Sequence, residues 1–245
     1  MNNIKFIIPI LSGLSTIIGV IPTYFNKINQ DKVINSALSF SLGVMLTISF
    51  ISLIPEAIYY QNQINIVTII ITLIFVVLGA IISQLTDNFI NTKINNNNNL
   101  YKLGIISIIA LILHNIPEGI TTYLTTSTNY KLGLKLSLAI ALHNIPEGIS
   151  IAIPLFYSTN NRKKAFILTL ISGLSEAFGT LLAYLFIKEV NNLVMSFILA
   201  ITAGIMIHLS LYELYPNIKL YKNKKITYLY TLLGITVILI CHYFL

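Results

Sequence analysis

Two copies of the heptapeptide HNIPEGI lie among apolar residues, at 114–120 and at 143–149. Each copy supplies a histidine, an asparagine and a glutamate. Imidazole nitrogen together with carboxylate oxygen suits zinc, iron and manganese, whereas calcium prefers oxygen ligands alone. The single cysteine in the chain excludes a thiolate cluster. The doubled motif therefore predicts a site for a divalent transition metal, and its two glutamates could also bridge a pair of ions.

The spacing within each copy brings the ligand types together on one side of a helix. At about 100° per residue, Glu118 lies about 40° from His114, and Asn115 flanks the carboxylate on its other side. The second copy repeats this arrangement with His143, Asn144 and Glu147. If the two helices are antiparallel, His114 should lie nearest Glu147, and His143 nearest Glu118.

Composition places these motifs in a membrane protein. Of 245 residues, 56% are hydrophobic and only 9% are charged, against roughly 25% charged in soluble domains. A helix of about 20 apolar residues crosses a bilayer. The sequence predicts an all-α integral membrane protein, with one transmembrane domain over residues 1–245. Its eight spans are predicted at 4–25, 33–56, 64–88, 102–126, 133–157, 165–187, 192–214 and 226–244.

Three carboxylates lie near the middle of spans 4, 5 and 6: Glu118, Glu147 and Glu176. Each ionised group at the bilayer centre costs roughly 2.5–3.5 kcal/mol, and no lysine or arginine is predicted at that depth. A bound cation or protonation must compensate this cost. Glu176 follows Ser172 and Ser175, and we interpret it as a third contributor to the metal site.

Inverted repeats relate the spans to one another. The sequence SGLSTIIG at 12–19 matches SGLSEAFG at 172–179, and GVMLTISFISLIP at 43–55 matches GIMIHLSLYELYP at 204–216. The offsets differ by one residue, and the related spans run in opposite directions. This predicts a 3+2+3 inverted-repeat bundle, an organisation typical of transporters. Duplication without any mechanistic consequence is the alternative.

Basic residues divide unequally between the two ends of the predicted spans. Four lie at one end: Lys5, Lys131, Lys135 and Lys188. Eleven lie at the other: Lys27, Lys32, Lys93, Lys102, Arg162, Lys163, Lys164, Lys219, Lys222, Lys224 and Lys225. By the positive-inside rule the richer end is cytoplasmic, so both termini should face outside. Orientation thus explains the net charge of +7 without a nucleic-acid partner.

The motif also contains a proline and a glycine. Pro117 and Pro146 cannot donate a main-chain hydrogen bond, so the carbonyls of Leu113 and Leu142 lose their helical partners. Inside a membrane, such broken helix is tolerated where it lines a cavity or is packed in protein. Gly119 and Gly148 are expected to let spans 4 and 5 approach each other closely.

Four further polar residues lie outside the doubled motif. Glu56 and Glu213 are either attractors for the metal at the two ends of its route or interfacial carboxylates without a role. His208, which replaces Thr47 of the related span, either lines the route or packs in the bundle. His242 is interpreted as a packing residue.

The doubled HNIPEG, the SGLSE at 172–176 and the eight spans resemble the ZIP (Zrt/Irt-like) family of metal transporters, most closely its bacterial ZupT-type branch, over essentially the full chain. The resemblance implies a homodimer in the cytoplasmic membrane that moves divalent metal inwards without a prosthetic group. Zinc is the first expectation, with iron, manganese, cobalt or cadmium as others. One or two ions would bind at the midplane to His114, Asn115, Glu118, His143, Asn144, Glu147 and Glu176. The loop at 95–99 is asparagine-rich where the family often has histidines, which puts metal capture by this loop in doubt.

Three functions compete at this point. A carrier would use an ion gradient, since no ATP-binding GxxxxGK[ST] motif occurs, and would work by alternating access. An intramembrane hydrolase could activate water on zinc with a glutamate as base, but HExxH is absent and the inverted duplication has no use there. A metal-gated receptor or a non-transporting relative is the third possibility, and the intact ligand set argues against it.

Overall fold

The computed structural model describes residues 4–25, 30–61, 64–93, 99–187 and 191–244. In those ranges every regular element is helical, and the helices form eight rods in chain order. We number them α1 (Ile4–Tyr24), α2 (30–59), α3 (Ile66–Lys93), α4 (Asn99–Thr128), α5 (Tyr130–Thr159), α6 (Arg162–Phe186), α7 (Asn192–Lys219) and α8 (Lys224–Phe244).

The helices are long and apolar, as a membrane protein requires. Among the described residues, seven helices, α1 to α7, have the length and hydropathy to cross a bilayer, and α8 adds 21 residues. Only 22% of the most apolar window of α3 is buried inside the protein, because this helix turns most of its surface outwards. The predicted all-α membrane fold is confirmed.

Three rods depart from regular α-helix. The second half of α1, Ser15–Tyr24, is a 3₁₀-helix. Both α2 and α7 contain a π-helical turn, at Ser49–Leu53 and at Leu209–Leu214. In both α2 and α7 a proline lies two residues after the π-helical turn. Proline has no main-chain N–H to donate, and the wider turn accommodates the missing hydrogen bond. The two π-helical turns occupy equivalent places in the inverted repeat.

Helix packing follows the predicted repeat. Extensive contacts join α4 to α6, α1 to α5, α2 to α8 and α3 to α7. The repeat relates α1 to α6, α2 to α7, α3 to α8 and α4 to α5. This exchange converts the α4–α6 contact into the α1–α5 contact, and the α2–α8 contact into the α3–α7 contact. The 3+2+3 inverted arrangement is therefore confirmed in the contacts between helices.

The motif glycines contact different helices from those expected. A Cβ atom on Gly119 would overlap the main-chain oxygen of Glu176, and one on Gly148 would overlap that of Thr16. Gly119 thus brings α4 against α6, and Gly148 brings α5 against α1. The prediction that these glycines join spans 4 and 5 is wrong, because each follows its glutamate by about 100° around the helix and faces away from that partner.

The helix breaks expected at the motif prolines are not seen, although proline still leaves the carbonyls of Leu113 and Leu142 without their helical donor. Helix α4 continues through Pro117 and α5 through Pro146. Both stretches are packed among neighbouring helices, and such packing lets a transmembrane helix tolerate a proline. The motif side chains therefore project from two continuous antiparallel helices.

Candidate metal centre

Two histidine–glutamate pairs cross between α4 and α5. Nε2 of His114 lies 3.1 Å from Oε1 of Glu147, and Nε2 of His143 lies 3.2 Å from Oε1 of Glu118. This pairing confirms the one predicted for antiparallel helices. Each motif copy therefore depends on the other helix for its partner.

The second oxygen of each central carboxylate is buried without a hydrogen-bond partner among the described residues. The same holds for the amide oxygens of both motif asparagines. These atoms are Oε2 of Glu118, Oε2 of Glu147, Oε1 of Glu176, Oδ1 of Asn115 and Oδ1 of Asn144. A buried acceptor without a partner costs about 1–3 kcal/mol, so this concentration of free oxygen lone pairs suits a cation.

The amide nitrogens hold the asparagines in place. Nδ2 of Asn115 donates to the main-chain oxygen of Ser172 at 3.1 Å, and Nδ2 of Asn144 donates to that of Ser12 at 3.1 Å. Asn144 also donates to Oε2 of Glu176 at 2.9 Å. With both nitrogens occupied, the amide oxygens remain available as ligands.

The repeat-related position of Glu176 is Thr16, whose hydroxyl donates to the main-chain oxygen of Gly13 at 2.7 Å. The α1 side of the centre thus has a threonine, bonded within its own helix, where the α6 side has a carboxylate. The centre is therefore asymmetric, with two histidine–glutamate pairs and one further carboxylate.

The ligand atoms are close to metal-binding geometry without having reached it. Among the described residues, no three histidine, cysteine or acidic side chains already surround one point as a closed metal site. With bonds of about 2.0–2.2 Å, neighbouring ligand atoms of tetrahedral zinc lie about 3.4 Å apart. The two N···O distances of 3.1 and 3.2 Å are within a few tenths of an ångström of that spacing. Small side-chain movements would let an ion replace each hydrogen bond.

A cavity of about 250 Å³ reaches one of the two pairs. It enters between the ends of α2, α4 and α8 and the beginnings of α5 and α7, and it ends at Glu118 and His143. His114 and Glu147 are completely buried and do not line this cavity. Within the described part of the chain, this cavity therefore reaches the centre from one end.

Several polar side chains line the cavity above the open pair: Ser52, Glu56, Thr121, Lys135, Thr202 and His242. Glu56 lies on a route to the centre, as the attractor interpretation requires. His242 lies 3.4 Å from the Ser52 hydroxyl, yet it is exposed in the cavity, so the packing interpretation describes it incompletely. Sequence reasoning missed Lys135, although its place two helical turns before His143 could have indicated it.

A second polar cluster joins α3 to α7 away from the centre. Nδ1 of His208 lies 3.0 Å from the Ser83 hydroxyl and 3.3 Å from Oδ2 of Asp87. These contacts agree with the packing alternative for His208. Glu213 instead lines a separate cavity, together with Lys102, at the opposite end of the bundle.

Comparison with known proteins agrees with this arrangement. Residues 93–242 match the family model described as ZIP Zinc transporter. The chain belongs to the ZIP family. The zinc transporter ZupT of Lysinibacillus sphaericus is 35% identical, over 94% of this chain and 93% of that protein. Those of Clostridium perfringens and Campylobacter jejuni are each 32% identical, over 90% and 89% of this chain and 89% and 88% of those proteins.

The part matched by the ZIP model contains both HNIPEGI copies and Glu176. These relatives extend over most of the chain, so the likeness includes α1 to α3 as well as the motif helices. Membership of the ZIP family gives no support to the hydrolase alternative.

Proposed function

We propose that this ZIP protein carries divalent transition metal into the cytoplasm by alternating access. The observation that carries the proposal is the pair of buried histidine–glutamate contacts, whose free carboxylate oxygens face a low-dielectric interior. Zinc is the first candidate because the related proteins are named zinc transporters. Iron, manganese, cobalt and cadmium have compatible ligand preferences.

The proposed ligands are His114, Asn115, Glu118, His143, Asn144, Glu147 and Glu176. Two ions fit this set better than one, because each histidine–glutamate pair supplies one nitrogen and one oxygen to its own ion. Asn144 donates to Oε2 of Glu176, and Oε1 of Glu176 is buried without a hydrogen-bond partner among the described residues, which supports a role for this carboxylate as a further ligand. The metal is a transported substrate and no prosthetic group is required.

The proposed orientation has both termini outside the cytoplasmic membrane, from the distribution of basic residues. The cavity that reaches Glu118 and His143 then opens outwards. A hydrated ion would pass Glu56 and exchange water for His143 and Glu118. It would leave inwards once the bundle closes above this pair and opens below His114 and Glu147.

The chain would act as one transmembrane domain over residues 1–245 in the lipid bilayer. By the family resemblance, it would work as a homodimer. The sequence contains no nucleotide-binding motif, so a gradient of the metal or of a coupled ion would drive uptake.

Transport is tested with purified protein in liposomes that enclose a zinc-sensitive dye. External zinc should enter faster than into protein-free liposomes, and the rate should saturate with zinc concentration. Calorimetric titration of the detergent-solubilised protein should give two zinc ions per chain. Zinc binding without any uptake would favour a receptor over a carrier, and a stoichiometry of one would contradict the binuclear assignment.

A further inference from the structure

A hydroxyl on α2 bonds to α5 beside the buried pair. Oγ of Ser41 donates to the main-chain oxygen of Pro146 at 2.6 Å, and Ser41 is completely buried. Pro146 directly precedes Glu147, so this bond joins α2 to the residue next to a proposed ligand. It lies on the side of the centre that the cavity does not reach.

The inverted repeat places an equivalent pair on the other side. The offset of 161 that relates Gly43 to Gly204 relates Ser41 to Thr202, and the two motif copies relate Pro146 to Pro117. Thr202 and Pro117 both line the open cavity. On one side of the centre the hydroxyl–carbonyl hydrogen bond is formed. On the other side the equivalent residues border the cavity, and their polar groups bond within their own helices.

At the open end, the Thr202 hydroxyl and the Pro117 main-chain oxygen form other hydrogen bonds. The Thr202 hydroxyl donates back to the main-chain oxygen of Ile198, on its own helix, at 2.8 Å. The main-chain oxygen of Pro117 accepts from the Thr121 hydroxyl, also on its own helix, at 2.9 Å. At the closed end Ser150, the equivalent of Thr121, donates to the main-chain oxygen of Glu147 and leaves that of Pro146 to Ser41.

We infer that Ser41 and Thr202 are alternating closing residues of the carrier. The Ser41–Pro146 bond closes one end in the state described here. In the opposite state that bond is broken, and Thr202 donates to Pro117 to close the other end. The inference rests on the alternating-access part of the proposed function, and it identifies the contacts that exchange when the cavity changes sides.

The strength of such a bond suits this role. A neutral buried hydrogen bond shifts an equilibrium by about two- to tenfold. One closing bond is therefore strong enough to bias the equilibrium between the two states and weak enough to break in every cycle. Because the two bonds are chemically alike, exchanging one for the other changes the free energy little.

The test uses cysteine accessibility and needs neither metal nor transport. In a Cys241→Ser background, one reporter is Leu136→Cys, which lies in the open cavity. The other is Ser107→Cys, which lies 29 residues earlier at the equivalent place in α4 and is completely buried. The protein is purified in detergent, so that a charged maleimide reaches both ends, and labelling rates are measured by mass spectrometry.

The Leu136→Cys reporter should label quickly and the Ser107→Cys reporter slowly. Ser41→Ala should raise the Ser107→Cys rate by about two- to tenfold. Thr202→Val should lower that rate, because it removes the bond that closes the opposite state. Ser41→Thr keeps a hydroxyl and should leave both rates near those of the parent.

Ser36→Ala is the matched control on α2, since the Ser36 hydroxyl, as far as the described residues show, donates within its own helix to the main-chain oxygen of Val33. Its rates should equal those of the parent. An unchanged Ser107→Cys rate in Ser41→Ala would overturn the inference, as would shifts in the same direction for Ser41→Ala and Thr202→Val. Failure of zinc uptake in liposomes would overturn the proposed function, so the two failures are distinguishable.

Discussion

His114 on α4 lies 3.1 Å from Glu147 on α5, and both side chains are completely buried. The repeat-related pair, His143 and Glu118, has nearly the same separation of 3.2 Å but borders the cavity. The two pairs thus contain the same residue types but differ in whether the cavity reaches them. Such a centre can receive an ion from one end while the pair nearer the other end remains closed.

The two motif glutamates should both be essential. Glu118→Gln or Glu147→Gln removes a proposed charged ligand and takes the carboxylate away from the opposing histidine, while keeping the shape of the side chain. We expect zinc uptake into liposomes to fall by at least about tenfold, a loss typical even of groups that only support a ligand. Asp31→Asn, at the exposed start of α2, is the control and should retain uptake. Parent rates in both glutamine variants would refute the site.

The two asparagines should contribute unequally despite their sequence symmetry. Asn144 donates to the Glu176 carboxylate as well as to Ser12, whereas Asn115 donates to Ser172. Hydrogen bonds to charged groups are worth roughly 1 kcal/mol more than neutral ones. Calorimetric titration should show that Asn144→Ala weakens zinc binding up to about tenfold more than Asn115→Ala does. Equal losses would mean that Asn144 does not position Glu176.

The motif glycines should tolerate no side chain. In Gly119→Ala the new methyl group would overlap the main-chain oxygen of Glu176, and backbone cannot move aside as a side chain can. Overpacking typically costs about 1–3 kcal/mol, so the melting temperature in detergent should fall clearly. Gly104→Ala is the control, because its Cβ would meet chiefly the Leu155 side chain, and it should fall less. Equal melting temperatures for the two variants would contradict the close contact between α4 and α6.

Lys135 should slow metal access. Lys135 lines the cavity that ends at Glu118 and His143, and its positive charge should repel an incoming divalent cation. Removing one nearby charge in water is worth roughly 1 kcal/mol, or about fivefold. Lys135→Gln should therefore lower the KM for zinc uptake by up to that factor at low salt.

This difference should shrink in 0.5 M salt, where the Debye length is only about 3–5 Å. Lys131→Gln changes an exposed lysine of the same helix that does not line the cavity, and its KM should match that of the parent. A salt-independent change in KM would indicate altered packing instead of electrostatic repulsion.

Much of the architecture could be predicted because its signals are local in the chain. Apolar runs of spanning length predict the helices, and similar sequence segments at nearly constant offsets predict which helices are related. The antiparallel pairing of His114 with Glu147 follows from the same repeat, since consecutive spans must reverse direction. These inferences need only hydropathy, helical periodicity and alternation of the chain across a bilayer.

The failed predictions share one physical cause. Gly119 and Gly148 face α6 and α1, and the helices continue through Pro117 and Pro146, because neighbours distant in sequence decide what each face of a helix contacts. His208 finds Ser83 on α3, 125 residues earlier, and no pattern in the sequence connects them.

By itself, the sequence determined that this is a membrane protein with an inverted repeat and a doubled histidine–asparagine–glutamate set. The tertiary structure alone decided that the cavity reaches Glu118 and His143 but not Glu147 and His114. Both pairs have the same residues at the same spacing, so sequence cannot distinguish them. Their difference arises from how α2 and α7 lie against the motif helices. Ser41 donates a hydrogen bond to Pro146, whereas Thr202 donates to Ile198 on its own helix.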